Sequence, residues 1–354
     1  MTEESLRYVT EILKGHQSST EADWYEVSGF LVCHKIAGLF YHRAQTAMVS
    51  LPGKAEWNLR EVFCKQQRRA EFMRLQIKEI SDALLRANAE HAFLKGSVMC
   101  NVPFANRLLY IDGERTSNDI DLLVKPTGIT AVSNVLKDMG FVQGRYDAKE
   151  KKIIPFSRAE ILMRRMNRGE VAPFVRQTEN AEIPFTEVDL NFSLGNTPNA
   201  DEELLCDMID SSTVQSGKVP MKTLVPELFF LHLVMHQYKE SCLHFMVARN
   251  KDLELYKLAD MYYLIATHAF NQTAVQTFVR KYRLEEPFGA VLHQVGEIFD
   301  DDEIRLWAKE YICHQPQVID YDTRKRYVWT ASVRERVKAF STECYLKEAV
   351  LHAE

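Results

Sequence analysis

The sequence lacks the cysteine pattern and the signal peptide that are typical of secreted proteins. It holds seven cysteines among 354 residues, and no two of them are spaced as Cys-x-x-Cys. An odd, scattered set fits neither a disulfide framework nor a zinc ribbon, so we expect a reducing, cytoplasmic location. The N-terminus is acidic and lacks the positively charged lead of a signal peptide.

Long apolar runs and an excess of positive charge are also missing. The most apolar stretch, residues 228–235, is too short to span a bilayer, so we expect no membrane partner. The formal net charge is -5, so no overall positive field would attract a nucleic acid polymer. We therefore expect no nucleic acid partner, with a tRNA in one local basic groove as the open exception.

Hydrophobic patterning divides the chain into three parts. Residues 1–90 repeat apolar positions at helical spacing, which predicts an N-terminal helical region whose last helix supports the next domain. Residues 91–198 contain short alternating strands, including 171–177 and 184–194, which predict a small mixed sheet. Residues 199–354 predict a C-terminal helical bundle, with its clearest helices at 229–238, 253–269, 274–282 and 334–351. The expected fold class is α+β.

Two aspartates in the segment NDIDLLV (residues 118–124) are the most informative feature. On a strand, residues two apart point to the same face, so Asp119 and Asp121 present their carboxylates side by side. Like charges that close raise the pKa of one group unless a cation lies between them. Hard oxygen ligands that leave room for phosphates are those that Mg²⁺ prefers.

Two further segments complete this pattern. Gly96 and Ser97 follow a short predicted strand, where a glycine allows the backbone to approach a phosphate closely. Asp189 lies on the polar face of a later strand, beside Glu187 and Asn191. We therefore expect Asp189 to be the third carboxylate of a two-metal site.

The chain resembles the DNA polymerase β-like nucleotidyltransferase superfamily in its Gly-Ser turn, its Asp-x-Asp strand and its third acidic strand. More narrowly, LKG (94–96), Arg115, DIDLLV (119–124) and VDL (188–190) are similar to poorly characterised bacterial nucleotidyltransferases with large helical flanks. Members of that group are often associated with specialised biosynthesis. The chain departs from the pattern in a longer interval between Gly96 and Asp119, and in Asn191, where a histidine is expected.

The resemblance implies a Mg²⁺-dependent enzyme that moves a nucleoside monophosphate from a nucleoside triphosphate, such as ATP, to an acceptor and releases pyrophosphate. Asp119, Asp121 and Asp189 would hold two Mg²⁺ ions, with Mn²⁺ as a substitute. Gly96 and Ser97 would contact the triphosphate. The basic residues Lys95, Arg115 and Lys257 are further candidates for this contact, and a plain surface role for Lys95 and Arg115 stays open as the alternative. The acceptor would be a small molecule, a peptide or a protein.

Several interpretations of the sequence remain open. A basic stretch between the site strands forms either one wall of the active-site cleft or a solvated helix face. It contains Lys149, Lys151, Lys152, Arg158, Arg164, Arg165, Arg168 and Arg176. His232 and His236 share a helix face but lack the glutamate of a zinc protease motif. The alternatives to a small-molecule transferase are a toxin-like tRNA nucleotidyltransferase, a catalytically silent nucleotide-binding scaffold and a non-enzymatic helical interaction protein.

Overall fold

The computed structural model describes residues 1–18, 22–168, 171–195, 201–311 and 315–349, with the backbone alone for 165–168. The helices of these residues are α1 (Glu3–Leu13), α2 (Trp24–Cys33), α3 (Ala37–Thr46), α4 (Gly53–Arg86), α5 (Lys95–Met99), α6 (Ile129–Asp138), α7 (Arg158–Arg168), α8 (Glu202–Asp210), α9 (Pro226–Ser241), α10 (His244–Val247), α11 (Leu255–Ala266), α12 (Gln272–Lys281), α13 (Glu285–Phe299), α14 (Asp302–Ala308) and α15 (Val333–Lys338). The strands are β1 (Ala92–Phe93), β2 (Ile120–Leu123), β3 (Val142–Asp147), β4 (Lys152–Pro155), β5 (Phe174–Gln177), β6 (Phe185–Asn191), β7 (Thr213–Gln215), β8 (Met221–Thr223), β9 (Val318–Ile319), β10 (Arg326–Trp329) and β11 (Leu346–Glu348).

The chain separates into two compact units. A helical unit contains Met1–Cys64, Leu233–His268 and Thr273–Glu354, and a sheet unit contains Lys65–His232 and Ala269–Gln272. The α+β class is confirmed, because a mixed sheet is combined with many helices. The domain boundaries expected at residues 90 and 198 stay a prediction.

The sheet unit is built on eight strands in the order β4-β3-β5-β6-β2-β1-β8-β7. The pairs β2–β6 and β1–β8 are parallel, and the other neighbours are antiparallel. All four residues of β2 are buried, and β6 alternates between buried and half-buried positions. β6 therefore has one apolar face toward the core and one polar face, as its sequence predicts.

The helix α4 supports this sheet, which confirms the role predicted for it. Its apolar positions Met73, Ile77, Ile80 and Leu84 are buried at three- and four-residue spacing. On its polar face, Glu79 and Gln76 accept hydrogen bonds from the guanidinium of Arg176 on β5 at 2.6 to 3.0 Å. The charged side of α4 is therefore bonded directly to the sheet.

The prediction that the chain is helical from about residue 201 to its end was wrong at two places. β7 and β8 join the edge of the main sheet, and the loop between them is fixed by a tertiary contact that no local pattern reveals. A Cβ on Gly217 would lie 2.1 Å from the Asn101 carbonyl oxygen, and the Lys218 N–H donates to that oxygen at 2.8 Å. Only a glycine allows the two backbones to approach so closely.

The second error concerns the helix predicted over residues 334–351. α15 ends at Lys338, and β11 then pairs with β10, while residues 350 and 351 lie outside the described part. Thr342 holds the chain in this path, because its backbone N–H donates to Asn250 and its hydroxyl donates to Asp252 at 3.4 Å. Tertiary hydrogen bonds therefore override the helical pattern here.

No helix within the described ranges is both long enough and apolar enough to cross a membrane.

The buried His91 and the half-buried His34 should make the fold acid-sensitive. Burial lowers the pKa of His34 and of His91 from the ordinary 6.5 to about 4. The Nδ1 of His34 accepts from the Leu255 N–H, so its Nε2–H donates to the Val337 carbonyl and the ring is neutral. Because the folded pKa is depressed, the unfolded state binds protons first as the pH falls. Each histidine should lower the free energy of unfolding by about 3 kcal/mol as the pH falls from 6.5 to 4.

We therefore expect the free energy of unfolding in urea to fall over that pH window, and His91→Gln to reduce the slope. His16→Gln is the matched control, because the His16 side chain is 62% exposed. An equal slope in wild type and His91→Gln would contradict this assignment.

Candidate active site

Three carboxylates meet where β2 and β6 run side by side. The parallel register places Asp121 directly opposite Asp189, and Asp119 immediately precedes β2. Ligand oxygens of Asp119, Asp121 and Asp189 lie within 4.8 Å of one another. The structure thus brings together the three aspartates that the sequence singled out.

Burial makes the close approach of these three carboxylates electrostatically unfavourable. The pKa of Asp189 is raised well above its usual range, first by burial and then by Asp121, Asp119 and Glu187, although Lys95 opposes the shift. The Asp121 side chain is only 4% exposed. Clustered carboxylates need positive charge nearby, and hard oxygen donors with this spacing suit Mg²⁺ or Mn²⁺. The donor set therefore fits a divalent metal.

Lys95 supplies the nearest positive charge. Its ammonium lies 2.8 Å from Asp121 Oδ1. The position follows from the antiparallel pairing of β1 with β2, because the Leu94 N–H donates to the Asp121 carbonyl oxygen and Lys95 comes next. Lys95 has a φ of 49°, an uncommon left-handed conformation for a residue with a side chain. The turn therefore directs Lys95 toward the aspartates at some conformational cost.

Gly96 allows a loop to close over the turn. A Cβ there would lie 3.1 Å from Ser117 Cβ and 3.2 Å from its hydroxyl oxygen. Ser117 in turn donates a hydrogen bond to Asp119 Oδ1 at 3.1 Å. The long interval between Gly96 and Asp119 is thus a short helix, α5, followed by a loop that returns to the site.

Ser97 and Arg115 lie beside this turn. Ser97 is 2% exposed, and its hydroxyl has no hydrogen-bond partner among the described residues. A buried hydroxyl left unsatisfied is costly, so a polar substrate group here would be stabilising. Arg115 donates to the Thr116 carbonyl oxygen and lies 3.7 Å from the position of a Cβ on Gly96.

Arg69 is a site residue that the sequence did not indicate. It lies on α4, and its guanidinium donates to the carbonyl oxygens of Ser117 at 3.1 Å and Asn118 at 3.4 Å. It therefore braces the loop that carries Asp119. No local signal identifies it, because Arg69 is about fifty residues from the loop and sits among other charged residues of the helix.

Glu187 is a second such residue. It lies two residues before Asp189 on the same face of β6, and burial followed by Asp119 raises its pKa, while Arg164 lowers it. Glu187 and Asp119 both line a cleft of about 310 Å³. The alternation of β6 placed Glu187 beside Asp189 on one face, but only the structure shows the cleft.

Lys257 belongs to the helical unit, where it is buried on α11. Its ammonium binds Glu240, Glu254 at 3.0 Å and the Lys251 carbonyl oxygen at 2.7 Å. Burial disfavours its charge, but Glu240 and further neighbours raise its pKa above the ordinary value. Its role as a nucleotide ligand stays a prediction.

His232 and His236 both lie on α9. His232 is buried, and His236 lies 3.5 Å from Glu240. Within the residues that the structure describes, neither belongs to a group of three potential metal ligands.

The basic stretch is divided among several positions. Arg176 binds α4, Arg164 lies 4.5 Å from the ring centre of Phe156, and Lys152 pairs with Glu150. Arg158 begins α7, and Lys149 and Lys151 lie in the turn between β3 and β4. The side chains of Arg165 and Arg168 lie outside the described part. One member, Arg176, therefore has a structural role.

A model of one protein family, described as uncharacterised nucleotidyltransferases, matches residues 20–300 of the chain. This match covers well over half of the 354 residues, so the chain belongs to that family. No curated protein and no solved structure matches the chain.

The charge repulsion at Asp189 gives a direct prediction. Because its folded pKa is raised, the ionised form is disfavoured at pH 7, and Asp189→Asn removes that penalty. We expect the variant to melt ~2–6 °C higher than wild type in EDTA at pH 7. The difference should shrink as the pH falls and Asp189 becomes protonated.

Glu150→Gln is the control, because the Glu150 side chain is 62% exposed and pairs with Lys152. A lower melting temperature for Asp189→Asn in EDTA would show that its carboxylate is stabilising rather than strained.

Proposed function

We propose, from its membership of this nucleotidyltransferase family, that the chain transfers a nucleoside monophosphate from a nucleoside triphosphate to an acceptor and releases pyrophosphate. The observation that carries the proposal is the group of three aspartates next to the Gly96-Ser97 turn. The same arrangement supports a place in the DNA polymerase β-like superfamily. The acceptor is a small molecule, a peptide or a protein.

Asp119, Asp121 and Asp189 would hold Mg²⁺, with two ions expected and Mn²⁺ as a substitute. The buried oxygen donors and their mutual repulsion support this assignment. When bound, the metal supplies positive charge that neutralises the triphosphate and makes the acceptor more acidic.

Residues of the chain position the reactants. Lys95 neutralises Asp121 and is placed to move its ammonium toward the triphosphate, and Ser97 and Arg115 offer further donors. The acceptor oxygen attacks the α-phosphorus, the bond from that phosphorus to the β-phosphate oxygen breaks, and pyrophosphate leaves with the electron pair. The proton of the acceptor passes to the Asp189 carboxylate, which lies beside Asp119 and Asp121.

Nucleotide binding is the first prediction of this proposal. One nucleoside triphosphate should raise the melting temperature of wild type only with Mg²⁺, since a ligand at a hundred times its Kd adds about 2.7 kcal/mol. Asp121→Asn should lose this shift because it removes a metal ligand. Asp82→Asn is the matched control, since Asp82 pairs with Lys78 on the exposed face of α4.

Measuring pyrophosphate release with added acceptors then distinguishes an enzyme from a nucleotide-binding scaffold. If no triphosphate shifts wild type at any Mg²⁺ concentration, the proposed function is wrong. A shift without pyrophosphate release across the acceptor panel would favour a nucleotide-binding scaffold.

Lys95→Met tests the role of the turn. We expect triphosphate affinity to fall ~10-fold or more, because a charge-assisted contact to phosphate is removed. Lys125→Met is a close control: Lys125 follows β2, pairs with Asp210 and is 19% exposed, compared with 22% for Lys95. Equal affinities for Lys95→Met and Lys125→Met would remove Lys95 from the nucleotide site.

A further inference from the structure

The cleft beside Asp119 is a second feature of the sheet unit, and its other lining residues lie outside the metal site. It has a volume of about 310 Å³, and its walls differ in chemistry. Asp119 and Glu187 supply carboxylates, Arg69 and Asn118 supply polar groups, and Ile183, Pro184 and Phe185 supply apolar surface. A concave pocket that combines apolar and charged walls is typical of a small-molecule site.

The sheet order places Glu187 and the turn that would hold the triphosphate on opposite sides of β2. β2 lies between β1, which leads into Lys95 and Gly96, and β6, which carries Glu187. The turn and Glu187 therefore flank the aspartates of β2 from opposite sides. An in-line transfer needs the acceptor on the side opposite the leaving pyrophosphate, and the Glu187 side meets that requirement.

Glu187 is equipped to bind a cation. Its half-buried carboxylate has no hydrogen-bond or ion-pair partner among the described residues. The positive charge of Arg164, whose guanidinium packs against the ring of Phe156, lowers the pKa of Glu187 without pairing with it. A carboxylate held away from bulk water and left without a partner gains strongly from a positively charged ligand.

The remaining lining residues include one cation and an apolar group. Arg69 donates to the Ser117 and Asn118 carbonyl oxygens, and its positive charge interacts with Asp119, so these two charges offset each other. Phe185 is held in place by stacking on Tyr146 at 4.8 Å between ring centres and 17° between planes. A negatively charged acceptor would be repelled by Glu187, which has no ion pair among the described residues.

We propose that this cleft binds the acceptor, and that the acceptor is a hydroxyl compound with a protonated amine and an apolar or aromatic group. Glu187 pairs with the amine, Phe185 and its neighbours contact the apolar group, and the hydroxyl lies toward Asp119. The inference rests on the proposed function and makes Glu187 the residue that selects the acceptor.

The test uses the full chain loaded with Mg²⁺ and a non-hydrolysable analogue of the triphosphate that binds. Three probes share one skeleton: L-phenylalaninol is a cation, N-acetyl-L-phenylalaninol is neutral and L-3-phenyllactate is an anion. In a ligand-observed NMR titration, the cation should bind wild type ~10-fold more tightly than the neutral probe. Glu187→Gln should bring that ratio within about 2-fold.

Two further variants sharpen the result. Glu182→Gln makes the same chemical change at an exposed residue that pairs with Arg68 and does not line the cleft, so it should keep the wild-type ratio. Glu187→Lys should reverse the preference toward phenyllactate. The Mg²⁺-dependent shift with the analogue shows that each variant is folded and keeps its metal site.

The outcomes separate the two proposals. If the analogue does not bind wild type, both the proposed function and the acceptor inference are wrong. If the analogue binds but the three probes do not differ, or if Glu187→Gln keeps the wild-type ratio, the acceptor inference alone is wrong.

Discussion

The pairing of β2 with β6 is the constraint on which the site depends. Because these strands are parallel and in register, Asp121 lies opposite Asp189, and their charges cannot separate without breaking the sheet. Backbone hydrogen bonds therefore hold together side chains that repel each other. Such stored repulsion is typical of functional sites, because a cationic ligand can release it.

The neighbouring structure holds this unfavourable arrangement in place. Lys95 offsets part of the negative charge, and Gly96 lets the loop approach closely enough for Ser117 to bind Asp119. Arg69 fixes the same loop from α4, a helix that is itself bonded to the sheet through Arg176. The charged face of α4 therefore connects the loop that carries Asp119 to the sheet.

The sequence predicted what depends on local periodicity and missed what depends on distant contacts. Alternation along two strands placed Asp119, Asp121 and Asp189 on polar faces, and the structure brings their oxygens within 4.8 Å. Arg69 could not be found in this way, because its partners lie about fifty residues ahead in a loop without periodicity. The hairpin of β7 and β8 was missed for the same reason: its strands are three residues long, and the contact of Gly217 with a distant backbone fixes it.

The most direct test of the account is to count the Mn²⁺ ions that bind with a non-hydrolysable triphosphate analogue, using electron paramagnetic resonance. Wild type should bind two ions per chain only when the analogue is present, and Asp121→Asn should lose at least one of them. Equal Mn²⁺ binding by wild type and Asp121→Asn would contradict the claim that these carboxylates hold metal against the triphosphate.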